Sequence, residues 1–332
     1  MLLLCRTLGA RYSVWGERAL NTYGETPMYD VLVLGELNAD LILQGDVEPA
    51  WAQAEKLLDD ASFVLGGSSA IFACGVARLG LRVAFAGVIG DDMVGQFCRA
   101  ELERAGVDTV GVVVDPDLKT GMTVILQRPD DRAMLTYAGA IAALTPEHID
   151  PALLRRARHV HVGSYFLQTA LQPGLPELFA EARGHGATTS LDTNWDPSER
   201  WAGLEKLLAV TDILLPNEAE ACALAGADDW ERALELLAAR VPTVAVKRGG
   251  AGASAVRGGE RVDVAAPPVR VVDAVGAGDS FDAGFVCGAL AGWPLERTLR
   301  LAVACGALST QAAGGTAAQP TLEEALAFLG AE

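Results

Sequence analysis

Short apolar runs alternate with amphipathic stretches along most of this chain. Residues 29–35 (YDVLVLG) are apolar almost without interruption, the pattern of a strand buried on both faces. Residues 82–88, 157–162, 187–191, 212–215 and 243–246 read the same way. Between them, residues 95–105, 146–156, 173–183, 198–208, 230–240 and 295–312 read as amphipathic helices. Strand and helix in alternation at this spacing predict an α/β fold, with a mostly parallel central sheet flanked by helices on both faces. In such folds ligands gather beyond the carboxyl ends of the strands.

Two regions depart from the alternation. Residues 41–45 with 62–65, and 110–114 with 123–128 and 133–137, read as antiparallel strands, the last pair turning at Pro129-Asp130-Asp131. They are too few to support a core of their own. We therefore expect a single domain over residues 28–330 that carries a small antiparallel β lid, with lid segments at about 41–65 and 109–137. Residues 1–27 show neither period and read as an extension, disordered or the product of a misassigned start.

Composition narrows the function. Net charge is −17 and the pI about 4.6. That balance argues against nucleic acid or an anionic membrane as partner, since both demand concentrated Lys and Arg. Any phosphate chemistry must then rest on a few local cations, for which Lys247 and Arg248 are candidates. Cys5, Cys74, Cys98, Cys222, Cys287 and Cys305 are scattered, without CxxC spacing, and read as free thiols of a reducing cytoplasm. His148, His159, His161 and His185 show no metal or triad spacing, and His161 reads as a core histidine.

The chemistry concentrates in residues 273–286, Asp-Ala-Val-Gly-Ala-Gly-Asp-Ser-Phe-Asp-Ala-Gly-Phe-Val. A strand at 270–272 is expected to run into the turn Gly276-Ala277-Gly278 and then an apolar helix with Asp279 in its first turn. Unpaired N–H groups at the positive end of a helix dipole suit an anion, and a carboxylate there can take a proton from a hydroxyl attacking it. Taken alone, Asp279 also fits an ordinary N-cap, worth about 1 kcal/mol. Further pieces bear on that choice. Gly66-Gly67-Ser68-Ser69-Ala70 opens a helix, and residues 87–95 (GVIGDDMVG) form a turn with two acids. Asn217 and Glu220 follow a buried strand, where a metal-bound water could be held. Residues 244–252 (VAVKRGGAG) end a strand in a basic, glycine-rich loop. No GxxxxGK[ST] occurs, nor a GxGxxG opening a helix after the first strand.

In this order the pieces resemble the ribokinase-like (PfkB) carbohydrate kinase family over about residues 29–325. The resemblance implies ATP-dependent phosphorylation of a sugar hydroxyl. It implies Asp279 as catalytic base and Gly276, Ala277 and Gly278 as anion hole. Asn217 and Glu220 would organise Mg²⁺, Glu220 through water. Lys247, Gly249, Gly252 and Gly278 would line ATP, with residues 301–315, including Gly314, walling the adenine. A monovalent cation such as K⁺ is implied near Asp273, Val275 and Gly314. For the sugar the resemblance implies Asn38, Asp40, Gly66, Gly67 and Ser68, with Asp192, Asn194 and Asp279. Ile71 stands where relatives often have Asn. Residues 192–197 (DTNWDP) resemble fructokinases and 2-keto-3-deoxygluconate kinases. Acidic Asp196, where keto-acid members offer Arg, points to a small neutral sugar. Tyr165 and Phe166 fit either a sugar face or the core. A nucleoside kinase, a 2-keto-3-deoxygluconate kinase and a non-catalytic sugar- or nucleotide-binding protein are the alternatives. A cytoplasmic homodimer joined through the lid is a further expectation from the resemblance.

Overall fold

The computed structural model describes residues 28–52, 54–128 and 131–330. The expectations for residues 1–27 and for positions 129 and 130 of the lid turn lie outside them. Strand β1 (Val31–Leu34) is buried throughout. The chain then leaves for an antiparallel pair, β2 (Asn38–Gln44) and β3 (Asp60–Gly66). It returns through the Ser68–Arg78 helix to β4 (Val83–Gly90), parallel to β1. After the Met93–Arg104 helix, β5 (Asp108–Asp115) adds parallel to β4. A second antiparallel pair follows, β6 (Gly121–Gln127) and β7 (Arg132–Tyr137). On the other side of β1 come β8 (His159–Val162), β9 (Thr188–Leu191), β10 (Ile213–Leu214) and β11 (Thr243–Lys247), all parallel. An antiparallel hairpin, β12 (Ala253–Arg257) and β13 (Glu260–Val264), closes the far edge.

The large sheet thus runs β13-β12-β11-β10-β9-β8-β1-β4-β5, and the small one β3-β2-β6-β7. Successive side chains of a strand point to opposite faces, and β1 divides accordingly. Val31 and Val33 join Phe72, Phe85 and Phe285 in one core, while Leu32 and Leu34 join Val160, Phe179 and Leu214 in the other. Burial on both faces is why these strands read as unbroken apolar runs. Among the described residues no helix is long and apolar enough to cross a membrane.

Several boundaries differ from expectation. Residues 110–114 belong to β5 at the edge of the large sheet, not to the lid; an edge strand exposed in part alternates like a lid strand. The lid's outer pairs are antiparallel as expected, and its middle pair, β2 with β6, is parallel. Residues 146–156 split into a 3₁₀ turn, Pro146–His148, and a helix, Pro151–Arg155, that restarts at Pro151 with Asp150 as its cap. Of residues 198–208 only Glu205–Leu208 is α-helical. The helix expected over 295–312 ends at Ser309. Residues 270–272 form no strand: the Val272 and Asp273 amides both donate to Thr310 O, at 2.8 and 3.1 Å, so this segment caps a helix end. The β12–β13 hairpin, absent from the expectations, turns at Gly258-Gly259, both at positive φ (58° and 86°), the two-residue turn that suits twisted hairpins.

Candidate active site

The glycine turn is built as its sequence demands. Gly276 has φ +71°, and a Cβ on it would lie 2.6 Å from Gly315 Cα, so only glycine fits. The Ala277–Leu290 helix starts there, with Asp279 buried in its first turn. Ile71 packs beneath: Cβ atoms added to Gly276 and Gly315 would lie 3.0 and 2.5 Å from its side chain. An apolar residue at position 71 thus supports the turn. Asp273 braces the same turn, accepting from Val275 N at 3.0 Å and Gly314 N at 2.9 Å.

Beside Asp279 lies a buried charge cluster. Lys247, at the end of β11, donates to Asp192 Oδ2 at 2.7 Å and to Asp282 Oδ2 at 3.2 Å. One carboxylate oxygen from each of Asp192, Asp279 and Asp282 falls within 4.8 Å of the others. Burial opposes ionisation of Asp192, but the Lys247 ammonium together with hydrogen bonds from Asp282 and the Asn194 amide holds that carboxyl below its usual range. Burial, joined by the Asp192 charge, pushes Asp279 up to about 8. Asp282 is pushed well above its usual value, first by burial, with Lys247 opposing. Burial alone would lower Lys247; Asp192 and Asp282 reverse this and hold it firmly protonated. Its neighbour Arg248 turns away, pairing with Glu218 at 3.1 Å and stacking over Trp230.

Asn217 and Glu220 form a reciprocal cap on the Glu218–Ala225 helix. Asn217 N and Nδ2 donate to the Glu220 carboxylate at 2.9 and 2.6 Å, and Glu220 N donates to Asn217 Oδ1 at 2.9 Å. Burial, then the Asp192 charge, pushes Glu220 up to about 7. Asn217 also bridges Lys247 backbone to backbone, so this pair abuts the charge cluster. Gly249 and Gly252 lie in the loop after β11, and Gly252 (φ +96°) presses against the end of β13, where a Cβ would meet Val264 O at 2.0 Å. Next to that contact is a cavity of about 280 Å³, lined in part by Val264, Ala265, Pro267, Val303 and Ala304.

On the other flank, Asn38 Nδ2 donates to Asp40 Oδ1 at 3.1 Å. Glycine again makes the room: a Cβ on Gly66 would lie 2.1 Å from Asp40 Oδ1, and one on Gly67 (φ +85°) 2.7 Å from Asn38 Oδ1. Burial pushes Asp40 up to about 7, against the Asn38 hydrogen bond. Asn194, in the left-handed region at φ 50°, donates from Nδ2 to Ser68 Oγ at 2.6 Å and Ser164 Oγ at 2.8 Å. Ser68 is among the groups that favour ionisation of Asp279, so the two flanks meet near the candidate base.

Asp196 does not face this site. Its carboxylate accepts from Ser198 N and Oγ, Arg200 N and Trp201 N, at 2.7–3.0 Å, folding its own loop. The inference from Asp196 to a neutral sugar therefore loses its ground. Tyr165 is buried, touching Phe166 edge-on in an aromatic chain that continues to Trp201 and Trp195. His161 is a core histidine as expected, bonded to Ser190 Oγ at 2.7 Å and stacked on Phe72. Cys74, Cys98, Cys287 and Cys305 are buried free thiols and Cys222 is partly buried. The residues missed were Asp282, Ser164 and Glu36. Asp282 carried a signal, an acid three residues after Asp279 on the same face of an apolar helix. Glu36, buried and bonded to Ser69 Oγ at 2.6 Å, carried none beyond its place after β1.

An α/β sheet with a small β lid, and a buried carboxylate at a helix-opening glycine turn between them, define a phosphotransferase acting on alcohols. Residues 28–322 match the model of the pfkB family carbohydrate kinases, and the chain belongs to that family. It is 35% identical over 310 residues to an ATP-dependent ribose-1-phosphate kinase of Halopiger xanaduensis, covering 91% of this chain and 98% of that one. It is 34% identical over 275 residues to a fructokinase of Klebsiella pneumoniae, covering 77% and 88%. The structure of a putative ribokinase II from E. coli in complex with ATP and Mg²⁺ superposes with a TM-score of 0.82 at 28% identity, covering 92% of this chain and all of that one. The protein is a carbohydrate kinase.

Proposed function

We propose that this kinase transfers the γ-phosphoryl group of Mg·ATP to a hydroxyl of a small neutral sugar, a reading now supported by its similarity to a ribokinase and a fructokinase and no longer by Asp196, with Asp279 as the catalytic base. The observation that carries the assignment is the buried Asp279 carboxylate in the first turn of the helix that Gly276 opens, with an oxygen within 4.8 Å of one of Asp192, whose Oδ1 accepts from Asn194 N at 3.1 Å on the sugar flank. Asp40, with Asn38, accepts sugar hydroxyls; Asp192 and Asn194 hold the opposite side, and Gly66, Gly67 and Ser68 close in from the lid. The Gly276 and Gly278 amides face the transferring group, while the Ala277 amide donates within the turn to Ala274 O at 3.3 Å.

Phosphoryl transfer passes through a loose transition state, so catalysis is mainly positioning and charge stabilisation. Asp279 orients the attacking hydroxyl and receives its proton as the bond to phosphorus forms. A pKa of about 8 leaves a useful ionised fraction at neutral pH and a carboxylate basic enough to accept that proton. The donors suit Mg²⁺: Glu220 is a buried carboxylate with lone pairs left for a metal-bound water after its Asn217 contacts. Held through water at Glu220, a Mg²⁺ ion would supply charge neutralisation for the phosphate oxygens. We place the adenine in the cavity beside Gly252, where Val264, Pro267, Val303 and Ala304 offer apolar contact and Asp263, Glu296 and Arg300 a charged rim, and we assign Gly249 and Gly314 to the nucleotide with it. The acceptors around Asp273, Val275 and Gly314 are compatible with a K⁺ ion.

We place the protein in the cytoplasm, in keeping with its free thiols, as a homodimer joined through the exposed lid strand β7. The substrate is read directly from a panel of fructose, ribose, 2-keto-3-deoxygluconate, ribose-1-phosphate, adenosine and inosine with Mg·ATP. Turnover of fructose or ribose above the others supports the neutral-sugar reading. Preference for 2-keto-3-deoxygluconate, ribose-1-phosphate or a nucleoside overturns it and leaves the family intact.

A further inference from the structure

Three buried carboxylates within 4.8 Å of one another cannot all ionise without a cation beside them. Lys247 Nζ supplies it, bonded to Asp192 and Asp282 from the end of β11. It also lies against the anion-binding turn, since a Cβ on Gly278 would sit 3.5 Å from Nζ. We propose that Lys247 is a positioning residue for Asp279: clamped by Asp192 and Asp282, its ammonium offsets the acid cluster and so enlarges the ionised fraction of the base at working pH. This inference rests on Asp279 being the base.

The charges around Asp279 can be named. Asp192 after β9 and Glu36 after β1 oppose its ionisation, and Lys247 favours it. Asp282 on the same helix is a fourth member of the cluster, and Glu220 acts on Lys247 from behind. Asp40, on the sugar flank, feels Glu36 and Asp273. Lys247 is the favourable charge in this set. A nucleotide-lining lysine needs a free ammonium to reach phosphate, but two of the three Lys247 donors already have carboxylate partners 2.7 and 3.2 Å away. Its effect should therefore fall on the proton acceptor and not on ATP affinity.

The test is the pH profile of kcat/KM for the best sugar at saturating Mg·ATP, with Lys247→Met and Lys247→Arg. Without the ammonium, Asp279 loses the charge that favours its ionisation, so the acid limb of Lys247→Met moves up by about one pH unit or more. Its kcat at pH 7 falls about 10-fold or more, activity recovers in part toward pH 9, and KM for ATP changes little. Lys247→Arg keeps the charge and leaves the acid limb near that of the wild type. If Lys247→Met does not fold, the Lys247→Gln/Asp282→Asn pair removes the charge together with one of its partners and should give the same upward shift. An unmoved acid limb, or a loss confined to KM for ATP, overturns the proposal. Asp279→Asn keeps the two readings apart. If it retains near-normal turnover the base assignment itself has failed; if it is inactive while the Lys247 variants leave the limb unmoved, only the positioning role has.

Discussion

The two flanks of the cleft hold their carboxylates by different means. On the phosphoryl side, Asp192, Asp279 and Asp282 crowd around one ammonium, on strand ends and a helix anchored in the core of the large sheet. On the sugar side, Asp40 stands on β2 of the small sheet without a cation bonded to it, kept in place by the Asn38 amide and by the room that Gly66 leaves. One flank is set by charge balance and the other by space. A charge-neutralising substitution should therefore act most strongly on the first, and an added methyl group on the second.

Asp279→Asn should have the largest effect. It removes the proton acceptor while keeping the side chain's shape, and kcat should fall on the order of 100-fold or more, measured at saturating substrates. The same variant should be more stable than the wild type at alkaline pH. The folded pKa of Asp279, about 8, stands above the usual 3.8, so the folded state holds this proton more tightly than the unfolded one. The stability linked to that proton is fully present below the unfolded value and is lost as pH rises through the folded one. Between those limits the melting temperature of the wild type should lose ground to that of Asp279→Asn. A gap that does not widen with pH would mean that Asp279 is not a strained acid.

Gly66→Ala probes the other flank. The added Cβ meets Asp40 Oδ1 at 2.1 Å, so either Asp40 or the β2–β3 register must shift. Overpacking of this kind costs about 1–3 kcal/mol. With Asp40 the proposed sugar contact, KM for the sugar should rise about 10-fold or more while kcat changes less, a split read from initial rates. Equal losses in both constants would show that the lid and the charge cluster are not separate devices.

The contrast also separates what the chain disclosed from what it concealed. Gly66, Gly67 and Gly276 were legible because each answers a local demand, a close approach or a positive φ, which no other residue meets as well. Strands β1, β4, β8 and β11 were legible because burial on both faces writes an unbroken apolar run. Strand β5 was not, since an edge strand alternates whichever sheet it joins. Nor could Lys247 be matched to its partners, because Asp192 lies 55 residues away and the meeting depends on the order β9-β10-β11. Asp196 misled for the opposite reason: its four hydrogen-bond donors lie within five residues, and an acid in a polar loop reads equally as a ligand or as a local fold-maker.

The smallest effect on chemistry should come from the far face of the lid. Every residue of β7 is exposed, including Met134, Leu135 and Tyr137 at 62, 61 and 55%, and β7 is an edge strand. An open edge that also shows apolar side chains is an invitation to pair with another chain. A lid paired through this strand would steady β2 and hence Asp40, two strands away, without touching the charge cluster. Met134→Ser with Leu135→Ser should then convert a dimer to a monomer by light scattering. KM for the sugar should rise by a few-fold, while kcat and the acid limb set by Asp279 stay where they were. A wild-type protein that is already monomeric at assay concentration would remove the dimer, and the sugar flank would then have to hold its shape on the Gly66 and Asn38 contacts alone.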